Sequence, residues 1–233
     1  MYSPSTLKDR LDYIQGKIQK AAISSGRKQK QITLVAITKK FPVEIWKQAV
    51  NVSLTTLGES RIQETQKKVE TFQERDKIEL HFIGHLQSNK VRKAIELFDI
   101  IQTVDSVKLA EKIDRICKEN SIKQSLYLQI NAGLDSKKYG ISEKNALIDA
   151  HEVTKMENLR LKGIMTIPPQ NLSKTELRSV YRKTRKIRDE IRIKINNHCQ
   201  NISMGMSNDY ETAIEEGATH IRIGVGLFGM RPT

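Results

Sequence analysis

The sequence is poor in cysteine and aromatic residues and has no long apolar run. Its 233 residues include two cysteines, Cys117 and Cys199, in no CxxC pattern, which fits a reducing compartment and excludes a thiolate metal site. No segment approaches the roughly 18 consecutive apolar residues of a membrane helix. The first residues, MYSPSTLKDRLDYIQ, are polar and of mixed charge, unlike a secretory signal. We therefore expect a soluble cytoplasmic protein without membrane contact.

The chain is basic, with 40 Lys+Arg against 27 Asp+Glu and a formal net charge of +13. Such a charge bears on solubility and association rather than on fold, so it gives only weak support for a nucleic-acid partner. A chain of this length buries roughly 70% of its unfolded surface and needs no disulfide or metal to hold a core. Linkers, solenoid repeats and low-complexity stretches are absent from the sequence, and we predict one domain over residues 1–233.

Strand-length apolar segments alternate with helix-period segments throughout the chain, which predicts a parallel sheet whose crossovers are helices. The predicted strands are Ile32–Thr38, Leu54–Gly58, Leu80–Gly84, Asp99–Val104, Leu126–Asn131, Leu161–Thr166, Asn201–Gly205 and His220–Val225. The predicted helices include Val43–Val50, Arg61–Phe72, Ser106–Glu119, Glu143–Met156, Lys174–Asn197 and Tyr210–Glu216, and a further helix follows the polar residues at 87–90.

Eight strand–helix repeats favour closure into a single α/β domain, a (β/α)8 TIM barrel over about residues 32–230. An additional N-terminal helix, over about residues 5–25, precedes the first strand, because apolar residues recur there at helical spacing. A doubly wound open sheet is the alternative, but it normally has a glycine-rich phosphate turn after its first strand. That turn reads TKKFP here, and no GxGxxG or GKS/GKT loop occurs in the sequence.

In such a barrel the chemistry lies at the carboxyl ends of the strands, with phosphate often bound after strands seven and eight. The segments SMGMS at 203–207 and RIGVG at 222–226 combine glycines with hydrogen-bond donors at these positions. Glycines let backbone N–H groups approach an anion, and Ser207 can cap the helix that follows. The alternative is that Ser207 is only a helix cap and the glycines only form turns.

Two lysines, Lys39 and Lys40, close the first strand after the apolar run LVAI. A desolvated lysine loses its proton more readily, and a neutral amine is the nucleophile that forms a Schiff base. Most of the basic residues of such a chain are simply solvated, and alternation along the strand does not choose between the two lysines. His81 and His85 lie at a strand end with no accompanying carboxylate pattern, so we predict no metal site.

Six blocks of the chain, in order, resemble the pyridoxal-phosphate homeostasis proteins, which are single-domain relatives of the alanine racemase barrel. These blocks are LVAITKKFP, HFIGHLQSNK, LQINAGLDSKKYGI, RLKGIMTIPP, SMGMSNDYETAI and RIGVGLFGMRP. The resemblance runs from about Leu7 to Pro232. It implies pyridoxal 5′-phosphate (PLP) as the cofactor.

By this resemblance Lys39 holds PLP as a covalent aldimine, Arg222 lies near the pyridine nitrogen, and the phosphate is bound by Ser207, Gly224 and the backbone of Val225. An arginine at the pyridine nitrogen keeps that nitrogen unprotonated and the ring a weak electron sink. Further candidate contacts with the cofactor are Ser203, Met206 and Ser60. Ser60 is a departure, because the segment GESRIQE carries serine where the family's GENYVQE-like segment has asparagine.

Three functions follow as hypotheses. The first is a carrier that serves intracellular PLP homeostasis without robust catalysis; its partners are small amines or amino acids and PLP-dependent apo-enzymes, and we expect a monomer. The second is a slow racemase-type PLP enzyme, against which stand the missing second domain and the lack of a second base. The third is a nucleic-acid-binding module that uses the basic helix at 178–194, whose cationic face is more simply a solvated surface.

Overall fold

Eight parallel strands form a closed barrel in the order β1 to β8, with β8 pairing back to β1. The structure, a computed structural model, describes residues 6–135 and 139–230. The strands are β1 Thr33–Ile37, β2 Thr56–Glu59, β3 Glu79–Phe82, β4 Ile100–Val104, β5 Gln124–Gln129, β6 Leu159–Met165, β7 Asn201–Met206 and β8 His220–Ile223. The predicted TIM barrel is therefore confirmed.

Helices connect the strands and cover the outside of the barrel. Their bounds are α1 Leu7–Ser24, α2 Glu44–Asn51, α3 Ile62–Thr71, α4 Val91–Leu97, α5 Val107–Glu119, α6 Ala146–Thr154, α7 Lys174–Lys194, α8 Tyr210–Glu215 and α9 Val225–Phe228. No described helix has the length and apolar character needed to cross a bilayer.

The additional N-terminal helix is confirmed as α1. It begins with a capping box, in which the Thr6 hydroxyl accepts from the Asp9 N–H and the Asp9 carboxylate accepts from the Thr6 N–H. Leu11, Ile14 and Ile18 form its buried stripe. The Arg10 guanidinium donates to the Leu227 carbonyl in α9, so α1 is tied to the segment that follows the last strand.

Several predicted strand boundaries were wrong by up to two residues: β3 ends at Phe82 instead of Gly84, β5 is Gln124–Gln129 instead of Leu126–Asn131, and β6 begins at Leu159 instead of Leu161. Two further differences, in β2 and β8, concern the site. The second strand runs Thr56–Glu59 instead of Leu54–Gly58, which places Glu59 inside the barrel wall. The last strand ends at Ile223 instead of Val225, because the backbone leaves extended geometry at Gly224 and Val225 begins α9. The lysine-rich loop after β5 includes Lys137 and Lys138, which lie outside the described residues.

The two faces of the strands differ in chemistry. Side chains on the outer face, such as Leu57, Leu80 and Ile221, join the main hydrophobic core under the helices. The alternate residues, which point into the barrel, include a polar set: His81, Gln102, Tyr127, Ser203, His220 and Arg222, all buried. The barrel interior is therefore filled largely by hydrogen-bonded polar side chains, with a small apolar cluster of Ile100, Tyr127 and Met165 beside them.

Candidate functional site at the carboxyl ends of the strands

Lys39 and Lys40 form the turn that follows β1, and their surroundings differ. Lys39 is half-buried, whereas Lys40 is exposed and has a left-handed backbone with φ of 65°. Val35 lies on the inner face, because it is the register partner of the inward-pointing Arg222, and Ile37 lies two residues further along the same face. Successive side chains of a strand point to opposite faces, so Lys39, two residues after Ile37, is expected on the inner side as well.

The peptide groups on both sides of Lys39 are held from α3. The Lys68 ammonium donates to the Thr38 carbonyl at 3.0 Å, and the Lys40 N–H donates to the Glu64 carboxylate. Lys68 also donates to Glu64 at 3.0 Å and to Glu59 at 2.6 Å, so all three ammonium hydrogens have acceptors. The turn that carries Lys39 is thus fixed by one buried cation and its two carboxylates.

Glu59 anchors this network at the end of β2. It is fully buried, and its Oε1 also accepts from the Thr38 hydroxyl at 2.7 Å. The Trp46 indole donates to the same hydroxyl at 3.0 Å. In the part of the chain that the structure describes, Glu59 Oε2 has no hydrogen-bond partner. Burial raises the pKa of the Glu59 carboxyl, although the attraction of Lys68 opposes this.

Arg222 lies on β8, next to β1, with Val35 as its register partner. It is only 4% exposed, and its guanidinium donates to the Ser203 hydroxyl at 2.7 Å and to the Thr166 carbonyl at 2.9 Å. Within residues 6–135 and 139–230, no carboxylate forms a salt bridge with it. Burial lowers the pKa of the guanidinium. A buried cation with only neutral partners is a natural binding group for an electron-rich or anionic ligand.

The loops after β7 and β8 bring the predicted phosphate-binding residues together. A Cβ on Gly226 would lie 3.8 Å from the Ser207 hydroxyl, and one on Gly224 would lie 3.2 Å from the Ile37 carbonyl at the end of β1. Gly224 is buried, Ser207 is half-buried and Val225 is exposed. Small residues therefore let these loops approach each other and the end of β1 closely, and such glycines also let backbone N–H groups approach an anion.

The prediction that Ser207 caps the following helix was wrong. The N-cap of α8 is Asp209, and the Asp209 carboxylate instead accepts from the backbone N–H of Met206. Gly205 precedes this turn with φ of 90°, and a Cβ there would lie 2.5 Å from the Ala213 side chain. The Ser207 hydroxyl therefore has no capping role. Met206 and Ser207 line a cavity of about 550 Å³ that extends toward Leu172 and Leu177.

Ser203 and Ser60, two other sequence candidates, lie in different surroundings. Ser203 is fully buried, and its hydroxyl is shared between Arg222 and Gln102. Ser60 follows β2, and a Cβ on Gly84 would come within 2.2 Å of the Ser60 carbonyl. Ser60 therefore lies toward the β3 side of the mouth, where it lines a cavity of about 140 Å³ with His85.

The β3 side of the mouth also has an aromatic pair. The His85 and Tyr139 rings stack with centroids 3.6 Å apart, and the Tyr139 carbonyl accepts from the Gln129 amide at 2.8 Å. His85 Nδ1 lies 3.4 Å from an Asp105 carboxylate oxygen. Among the described residues, no group of three or more His, Cys, Asp or Glu side chains is placed to hold a metal ion.

Comparison with known proteins identifies the family. The family model described as "Alanine racemase, N-terminal domain" matches residues 24–232. The pyridoxal phosphate homeostasis protein of Aquifex aeolicus is 38% identical over 224 residues, which cover 96% of this chain and 97% of that protein. The protein of the same name from Schizosaccharomyces pombe is 34% identical and covers 98% of this chain and 94% of its own. The chain belongs to the pyridoxal phosphate homeostasis protein family.

Solved structures agree with this family assignment. PipY of Synechococcus elongatus, with PLP bound, has a TM-score of 0.84 and 29% identity over 96% of this chain and 100% of that chain. Alanine racemase of Clostridium difficile has a TM-score of 0.74 and 19% identity over 97% of this chain and 58% of that chain. The second likeness concerns the fold alone.

Sequence reasoning did not single out three residues that support the Lys39 turn or the Ser203 partner of Arg222: Glu59, Lys68 and Gln102. One signal for Lys68 was available, since Ile62, Thr65 and Lys68 share the buried face of α3 at i, i+3 and i+6. A lysine on such a face requires a buried acidic partner. No comparable signal marked Gln102, because its partners come from strands far away in the chain.

Proposed function

We propose that this protein binds PLP at the carboxyl ends of β1, β7 and β8 and serves as an intracellular carrier of the cofactor. The observation that supports this most is the position of Arg222, a buried cation without a carboxylate partner, on the strand next to the Lys39 turn. Within the family, the PLP-bound PipY structure gives independent support.

Lys39 is the residue we propose to hold the cofactor, through a Schiff base on its Nζ. The half-buried Lys39 follows the inner-face series of β1, whereas Lys40 is exposed. The hydrogen bond that Lys68 donates to the Thr38 carbonyl, and the one that Glu64 accepts from the Lys40 N–H, restrain the backbone on both sides of Lys39, which lowers the entropy cost of binding. We assign phosphate binding to the Ser207 hydroxyl, to Gly224 and to the backbone of Val225. Met206 and Ser60 are candidates at the rim.

The position of Arg222 favours a carrier function over catalysis. PLP supplies an electron sink that is strong only when its pyridine nitrogen is protonated, and a guanidinium at that nitrogen opposes protonation. In the described residues no carboxylate forms a salt bridge with Arg222, although Asp209 lies near enough to favour its charge. We therefore propose that the protein has no robust activity of its own and that small amines, amino acids or PLP-dependent apo-enzymes accept the cofactor.

The nucleic-acid alternative finds little support in the geometry of α7. Arg178, Arg182 and Arg185 all direct their guanidinium groups to Glu216, with nitrogen–oxygen distances of 2.9, 3.2 and 4.0 Å. Three arginines of the cationic face of α7 are thus engaged by a carboxylate within the protein. A phosphate backbone would have to compete with this carboxylate for the same guanidinium groups.

A spectroscopic titration tests the proposal. We expect PLP to give a visible absorption band with the purified protein and with Lys40→Ala, and no such band with Lys39→Ala. Lys40 is the matched control, because it is the exposed neighbour in the same turn. Equal bands in both variants, or none in the unmodified protein, would refute the assignment of Lys39.

A further inference from the structure

A chain of five side chains crosses the barrel interior from Arg222 to Glu79. Arg222 Nη1 lies 2.7 Å from Ser203 Oγ, and Ser203 Oγ lies 2.6 Å from Gln102 Oε1. Gln102 Nε2 lies 2.6 Å from His81 Nδ1, and His81 Nε2 lies 2.7 Å from Glu79 Oε1. The three middle residues are fully buried, whereas the Glu79 side chain is half exposed. The chain joins the cofactor face to the opposite end of the barrel.

The donors and acceptors of this chain run in one direction. A guanidinium only donates, so Ser203 accepts from Arg222 and its own hydrogen is directed to Gln102 Oε1. The Gln102 amide then donates to His81 Nδ1, which must be unprotonated. His81 Nε2 carries the hydrogen and donates to the Glu79 carboxylate. Each link therefore determines the next, and the chain selects the neutral Nε2–H form of His81.

We propose that Gln102 and His81 are positioning residues for Arg222, which hold the Ser203 hydroxyl with a lone pair directed at the guanidinium. This role rests on the proposed function in one respect, namely that Arg222 faces bound PLP. The chain itself is a property of the protein without ligand. It explains how a buried arginine keeps one orientation when no carboxylate holds it.

The opposite direction of the hydrogen bonds along this chain fits the barrel poorly. A doubly protonated His81 would donate to Gln102, which would have to rotate its amide by 180° and donate to Ser203. Ser203 would then accept from both Gln102 and Arg222, and its own hydrogen would lose Gln102 as an acceptor. The charged or titratable groups that face His81 are Glu79 and His220, and the Arg222 guanidinium is three hydrogen bonds away along the chain.

The groups around His81 differ in their effect: the Glu79 carboxylate favours a proton on Nε2, and the Gln102 amide, which donates to Nδ1, leaves no place for a second ring proton. The His220 ring centroid lies 6.0 Å from that of His81, and burial lowers the pKa of His220 to about 3. The hydrogen bond from His81 lowers the pKa of the Glu79 carboxyl. The described chain thus has a cation, Arg222, at one end, an anion, Glu79, at the other, and neutral groups between them.

Nitrogen-15 NMR of the PLP-free protein tests the direction of the chain. At neutral pH we expect His81 to give the shifts of the Nε2–H tautomer. In Gln102→Glu both ring nitrogens face carboxylates, so we expect His81 to become a doubly protonated imidazolium. An Nδ1–H tautomer in the unmodified protein, or no change of His81 in Gln102→Glu, would overturn the proposal, whether or not the protein binds PLP.

PLP affinity tests the effect on Arg222. Gln102→Leu removes the acceptor of Ser203, and we expect PLP to bind about tenfold more weakly, equivalent to about 1.4 kcal/mol, with a shifted visible band. The matched control is Gln124→Leu, since Gln124 is also a buried strand glutamine, and its amide donates to the backbone carbonyls of Phe98, Asp99 and Ser125. We expect this control to bind PLP within twofold of the unmodified protein.

Equal affinity and an unchanged band in Gln102→Leu would refute the positioning role. An equal loss in both variants would reduce Gln102 to a structural residue and would refute the role as well. If the unmodified protein failed to bind PLP, the proposed function would fail, and the NMR result alone would decide on the chain.

Discussion

The buried ion pair behind the Lys39 turn gives the sharpest test of the site's architecture. Lys68 and Glu59 have side-chain exposures of 6% and 0%, and Lys68 also holds the Thr38 carbonyl. Lys68→Met keeps the length of the side chain but removes the cation, and Glu59 is left buried with the Thr38 hydroxyl as its remaining donor. Removing one partner of a buried pair costs about 3–5 kcal/mol. We expect a loss of this size in the free energy of unfolding, measured by urea denaturation at pH 7.

Two controls separate the ion pair from general damage to α3. Lys67→Met changes the exposed neighbour in the same helix and should alter stability by less than about 0.5 kcal/mol. The double variant Glu59→Leu with Lys68→Met removes both charges. It should be more stable than Lys68→Met alone, because no unpaired carboxylate remains buried. Additive losses in the double variant would refute the reasoning.

The pH dependence of Lys68→Met follows from the same network. Burial raises the pKa of Glu59 above its ordinary value of 4.5, and without Lys68 the pKa should rise further. The native state then binds more protons than the unfolded chain above pH 4.5, so stability falls as pH rises through this window. We expect the deficit of Lys68→Met to be larger at pH 8 than at pH 5. A deficit independent of pH would contradict this account.

Three further predictions concern the barrel and its activity. Gly205→Ala should lower the free energy of unfolding, measured by urea denaturation, by at least about 2 kcal/mol, because the φ of Gly205 is 90° and the new Cβ would meet Ala213. Gly16→Ala in α1 is the control, since a Cβ there meets nothing within 4 Å, and it should raise stability by about 0.5–1 kcal/mol. Burial lowers the pKa of His220 to about 3 from 6.5, so on acidification the unfolded chain binds the proton before the folded protein does. The free energy of unfolding should therefore fall by about 2 kcal/mol between pH 6.5 and pH 5. His220→Gln should remove most of this fall. With PLP present, the unmodified protein should exchange the α-hydrogen of alanine in D2O no faster than Lys39→Ala does, as followed by NMR. Rapid exchange that is lost in Lys39→Ala would contradict the carrier function.

The barrel could be predicted because its signal is local and repeated. Each strand carries its own apolar run and each crossover its own helical period, so eight repeats give the topology even where one boundary is wrong. The second strand was misplaced by two residues, since NVSLTTLGE contains few strongly apolar residues. The last strand was overextended, because the sequence RIGVG does not mark where the backbone turns.

The interior of the barrel could not be predicted in the same way. The strands read as apolar on both faces, yet the inner face holds hydrogen bonds between residues that are distant in sequence. Ser203 and Gln102 are 101 residues apart, and Tyr127 and His220 are 93 residues apart. A polar residue in a strand shows only that some partner is needed, and the closure of the barrel decides which partner it is.

The role of Lys39 could be predicted only in part from the sequence. Sequence physics marked a lysine at the end of β1 without choosing between Lys39 and Lys40, and the resemblance to the family selected Lys39. The structure now adds a physical difference, because Lys40 is exposed with positive φ and Lys39 is half-buried beside the inner-face series. The assignment of the covalent bond to Lys39 stays a proposal.

The most direct test of the central claim is chemical trapping of the cofactor. The purified protein would be incubated with PLP, reduced with borohydride, digested and mapped by mass spectrometry, with Lys39→Ala treated in parallel. We predict one dominant pyridoxyl adduct, on Lys39, which is absent from the variant. Adducts scattered over surface lysines, or the same adduct pattern in both proteins, would contradict the account.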